Sequence, residues 1–65
     1  MKQGDLVRLR SGSKHTPHSR GRIIEVLEGA SHPEPVAQVL WQNGVVTDER
    51  LRDFVHYYEV YGEAG

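Results

Sequence analysis

The sequence predicts one small all-β domain, five short strands closed into a barrel. Three observations predict it. Apolar and polar residues alternate through most of the chain, the period of a half-buried strand, and helical periodicity is almost absent. Clusters of Gly, Pro, Asn and Ser cut these stretches at short intervals. The chain has only 65 residues, and strands so short need closure to hide their edges.

The first strand reads Gly4 to Arg10. Val7 and Leu9 share one face; Leu6, Arg8 and Arg10 share the other. Ser11 to Ser13 ends it, and a polar loop from Lys14 to Ser19 follows, where Pro17 excludes a helix. The second strand reads Gly21 to Glu28. Its alternation breaks at Ile23-Ile24, which predicts a β-bulge near Ile24–Glu25. A second loop runs from Ala30 to Pro35. The third strand, Val36 to Trp41, places Ala37, Val39 and Trp41 on one face. Asn43-Gly44 then predicts a two-residue type I′ hairpin with Gln42 opposite Val45. That register puts Trp41 and Val46 on the same, core-facing side.

Asp48 to Asp53 is charged around Leu51 and predicts a short 3₁₀ or helical turn near residues 48–53, with Asp48 as N-cap. Phe54 to Tyr61, rich in aromatic and β-branched residues, predicts the last strand. Residues 1–61 are thus expected as a single domain, and 62–65 as a flexible tail.

The order of these features resembles the SH3-like small barrels. Gly4-Asp5-Leu6-Val7 is similar to the "GDxV" opening of KOW-type barrels. Arg20-Gly21-Arg22-Ile23 with Glu25-Val26 resembles their second strand. Val39-Leu40-Trp41 with Asn43-Gly44 resembles their hairpin, and Leu51 with Tyr58-Glu59-Val60 their ending. A narrower resemblance joins His15-Thr16-Pro17, Arg20-Gly21 and Glu25-Val26 to the barrels of nitrile hydratase β subunits. The variable chain of ferredoxin–thioredoxin reductase and the PsaE subunit of photosystem I have related barrels. The broad resemblance implies an SH3-like barrel that contacts RNA or ribosomal partners. The narrow one implies an accessory chain packed on a partner that carries the chemistry.

Composition narrows the function classes. There is no cysteine, so neither a disulfide nor a thiolate metal site is available, which suits a cytoplasmic protein. No apolar run follows Met1, so no signal peptide or membrane contact is expected. Gly12 and Gly21 lack phosphate-loop spacing, and no serine sits in a nucleophile-elbow context. A chain this short has little wall for a water-excluding cavity. An enzyme, a small-molecule substrate and a cofactor are therefore not expected. His15, His18 and His32 read as exposed loop residues rather than a metal set.

A binding module remains. Net charge is −1, but it is segregated: residues 1–22 carry Lys2, Arg8, Arg10, Lys14, Arg20 and Arg22 against Asp5 alone. Two surfaces are predicted. An apolar stripe of Leu6, Val36, Leu40, Tyr57 and Tyr61, with Tyr58 and Val60 turned to the core, would dock another protein or a second copy of the chain. A basic patch of Arg8, Arg10, Lys14, Arg20 and Arg22 would, as the alternative, hold nucleic-acid phosphates.

Overall fold

A computed structural model of the chain describes residues 1–11 and 18–63. The elements are β1 (Asp5–Leu9), β2 (Arg20–Gly29), β3 (His32–Trp41), β4 (Val46–Arg50), α1 (Leu51–Tyr57) and β5 (Tyr58–Glu63). The five strands form one antiparallel sheet in the order β4-β3-β2-β1-β5. The sheet is open: β4 and β5 are its edges, and α1 joins them in sequence instead of a strand pairing that would close a barrel.

Alternation separates the two faces. Val7, Ile23, Ala37, Val39 and Trp41 turn inward and are buried together with Phe54 of α1 and Tyr58 of β5. Trp41, Phe54 and Tyr58 form an aromatic cluster: the Phe54 and Tyr58 rings stack at 4.5 Å, and Trp41 tilts against both. Its polar handles are satisfied. Trp41 Nε1 donates to Thr47 Oγ1 at 2.6 Å, and the Tyr58 hydroxyl donates to the His18 carbonyl at 2.6 Å. Asp5 is buried as well. Its carboxylate accepts from the Lys2 backbone N–H at 2.9 Å and fixes the turn into β1.

The expected bulge in β2 is present: the β2–β3 register steps from Ile23 opposite Val39 to Glu25 opposite Gln38, leaving Ile24 as the extra residue. Other expectations are corrected. The helical turn lies at 51–57, not 48–53. Asp48, Glu49 and Arg50 extend β4 instead, opposite Gln38, Ala37 and Val36. Arg50 is the N-cap and makes no side-chain cap, so Asp48 has no capping role. The helix forms because Leu51, Phe54 and Tyr58 recur at spacings of three and four, which puts all three toward the core. Consequently the last strand starts at Tyr58 rather than Phe54. Gly62 and Glu63, expected in the tail, pair with Leu6 and Asp5.

The hairpin after β3 is also corrected. Its loop is Gln42-Asn43-Gly44, with Trp41 opposite Val45: the Trp41 N–H donates to the Val45 carbonyl at 2.8 Å. A type I′ turn needs positive φ at Asn43, and Asn43 does not adopt it. Asn43 Oδ1 instead accepts the Val45 N–H at 3.2 Å, while Gly44, at φ +88°, takes the left-handed position. The slip of one residue turns Val46 outward, where it is 50% exposed, and puts Thr47 inward beside Trp41. The loop expected from Ala30 to Pro35 shrinks to a tight turn with Gly29 opposite His32. Pro33 and Pro35 sit in β3 beyond its pairing with β4, where a missing N–H is tolerated.

Candidate binding face

The outer face of the sheet carries the candidate site. Register aligns Leu6 of β1, Arg22 of β2, Leu40 of β3 and Val46 of β4 in one row across the strands. The neighbouring row holds Glu59, Arg8 and Arg20. Between the two rows at the β5 edge stands Tyr61. The β1–β5 register steps from Val7 opposite Val60 to Leu6 opposite Gly62, so Tyr61 is a bulged residue. Alternation from the buried Tyr58 also puts Tyr61 on the outer face, where it lines one hollow with Leu6.

Leu6, Leu40 and Tyr61 line the apolar part of an open groove of ≈ 470 Å³, and Arg20 and Arg22 its cationic part. Trp41, Gln42 and Gly21 complete it. The Arg8 and Arg20 guanidinium carbons lie 5.7 and 5.4 Å from the Tyr61 ring centroid. A second depression of ≈ 270 Å³ adjoins it through Arg20, Trp41 and Gln42. There the His18 imidazole stacks on Trp41 at 4.6 Å and 9°.

The arginines divide into two classes. Arg8 Nε reaches Glu59 Oε2 at 2.8 Å, and Arg10 approaches the other Glu59 oxygen at 3.6 Å. Arg10 Nε also donates to the Val55 carbonyl at 3.0 Å. Arg20 and Arg22 make no ion pair with any described residue. The free positive charge of the face therefore centres on these two. Lys2, at the other end of β1, has its pKa raised by its hydrogen bond to Glu63 and by the charges of Glu63 and Asp5.

The structure brings together three of the five residues of the predicted apolar stripe: Leu6, Leu40 and Tyr61. Val36 lies on the same face of β3 opposite Leu27 and Arg50, outside the groove. Tyr57 is not on this face's last strand at all. It sits on α1 and lines a separate hollow of ≈ 340 Å³ with Asp48, Glu49, Arg50, Asp53, Phe54 and Tyr58. Val60, expected in the core with Tyr58, is 43% exposed at the β5 edge. Of the predicted basic patch, Arg20 and Arg22 enter the groove and Arg8 covers its tyrosine. Lys14 and His15 lie outside the described residues. Among the described residues no group of three or more His, Cys, Asp or Glu is placed to hold a metal ion. No described helix is long and apolar enough to cross a membrane.

Sequence reasoning treated the apolar stripe and the basic patch as rival surfaces. Part of each, Leu6, Leu40 and Tyr61 with Arg20 and Arg22, lies on one surface. The signal was present in β1, where Leu6 and Arg8 share the outward parity, and in β2, where Arg20 and Arg22 do. Comparison with protein-family models, with curated proteins and with solved structures gives no match.

Proposed function

We propose that the chain is a non-enzymatic binding module and that the outer face of its sheet is the surface by which it holds a protein partner. One observation carries this reading. Leu6, Leu40 and Tyr61 converge with Arg20 and Arg22 on a single open groove. Apolar floor beside unpaired arginine is chemistry that holds a partner rather than transforms one. For the scaffold, the strand order β4-β3-β2-β1-β5 and the short helix between β4 and β5 support an SH3-like arrangement of the strands, with the sheet left open between β4 and β5. A second reading, nucleic-acid binding, draws on the same unpaired Arg20 and Arg22.

Panning a random peptide display library against the chain tests the reading. Enriched peptides should lose binding to Leu40→Ser and Tyr61→Ala, two substitutions outside the core. If no peptide is enriched, or the enriched peptides bind both variants undiminished, the outer face is not the recognition surface.

A further inference from the structure

We infer that the occupant of the groove is an extended acidic segment of a protein, bearing aliphatic side chains spaced to meet Leu6 and Leu40 with a carboxylate between them on Arg22. The inference rests on the outer face being the binding surface, and adds the partner's chemistry. Charge complementarity carries it. Arg22 rises between two leucines in one cross-strand row and has no carboxylate partner among the described residues. A guanidinium fork flanked by methyl groups matches a carboxylate flanked by aliphatic residues.

Spacing fixes the pattern. Leu6 and Leu40 stand on strands two places apart, about 10 Å. About three residues of extended chain span that distance. A segment repeating Leu-Glu-Glu in the polyproline II conformation, which brings side chains back to one edge every three residues and about 9 Å, therefore meets both leucines and carries acids beside them for Arg22 and Arg20.

The same geometry disfavours nucleic acid. Binding of single strands draws on bases stacking on open aromatic faces. Tyr61 has the Arg8 and Arg20 guanidinium groups over its ring, and Trp41 is 3% exposed and stacked by His18. A duplex asks for many phosphate contacts. Glu59 already engages Arg8 and Arg10, which leaves Arg20 and Arg22 as the unpaired cations among the described arginines of this side.

The test titrates the full, isotopically labelled chain with three probes and follows its amide NMR shifts. The probes are a short synthetic Leu-Glu-Glu repeat peptide, its Leu-Gln-Gln counterpart and oligothymidylate. The acidic peptide should shift amides around Leu6, Arg22 and Leu40, and more weakly as salt rises. Arg22→Gln should weaken it about tenfold, and Arg22→Lys should restore only part. Both are exposed substitutions, and the dispersion of the same spectra verifies folding. No shift with the acidic peptide overturns the inference. Equal binding of the Gln peptide overturns the demand for acid while leaving the binding face standing. Tighter binding of oligothymidylate replaces the acidic protein with nucleic acid. Failure of the face itself would show separately, as display ligands indifferent to Leu40→Ser.

Discussion

Leu40 and Trp41 are neighbours in β3 and belong to different worlds. Trp41 is buried in an aromatic cluster that α1 completes; Leu40 stands half-buried on a face that no described element covers. Among the described residues the sheet thus has one side closed by its own helix and one side left open. The closed side is uniformly apolar apart from satisfied polar tips. The open side mixes leucine, tyrosine and unpaired arginine. If the open side is the binding surface proposed above, stability is concentrated on the first and recognition on the second, so substitutions on the two sides should separate in kind as well as in size.

The largest effect is expected where α1 seals the inner side. Phe54 is the buried residue of that helix and stacks on Tyr58. Phe54→Ala removes a ring from the cluster and should cost about 3–5 kcal/mol. A domain of this length holds only about 3–10 kcal/mol in total. Urea unfolding followed by the fluorescence of Trp41, the single tryptophan, measures it. A loss below about 1 kcal/mol would mean that the helix does not close the inner side.

Next comes Gly21, where β2 passes directly beneath Trp41. A Cβ there would meet Trp41 Cε3 and Val39 Cγ1 at 2.8 Å and the Leu40 carbonyl oxygen at 3.0 Å. The carbonyl belongs to the paired β3 strand and cannot step aside without disturbing the ladder. Gly21→Ala should therefore cost about 1–3 kcal/mol in the same unfolding experiment, by overpacking rather than by a cavity. An unchanged midpoint would show that β2 and β3 do not approach so closely.

The two sides also differed in how far the sequence disclosed them. Period-2 alternation in β1 and β3 identified Val7, Ala37, Val39 and Trp41 as inward, and Leu6 and Leu40 as outward. The doubled Ile23-Ile24 disclosed the β2 bulge. What stayed hidden depends on contacts between distant residues. Asn43 was read by its preference for positive φ, but here its side chain holds the Val45 N–H. The resulting slip moved Val46 from the inner to the outer side. Helix α1 is short and partly β-prone in composition, so Phe54 to Tyr57 read as strand until the aromatic cluster gave Leu51, Phe54 and Tyr58 a common destination. Tyr57 left the predicted stripe for that reason, while Tyr61, three residues after the inward Tyr58, kept the outward place that alternation gives it. Parity puts Leu6 and Arg8 on one face of β1, but the meeting of Leu6, Leu40 and Tyr61 with Arg20 and Arg22 depends also on strand order and register, which no local pattern encodes.

The smallest stability effect is expected from Leu40→Ser, one residue from Trp41. Its side chain joins the outer row and contributes no buried core contact. The substitution should cost at most about 1 kcal/mol, the range of strand preference at a partly exposed site. Its consequence for binding should be much larger than its consequence for folding, because it removes half of the leucine pair that flanks Arg22. Unfolding and display-ligand binding measured on the same preparation decide the matter. Wild-type-like stability with lost binding would locate recognition on the open side. Parallel losses of stability and binding would mean that Leu40 serves the fold, and that the division between a closed, stabilising side and an open, recognising side does not hold at β3.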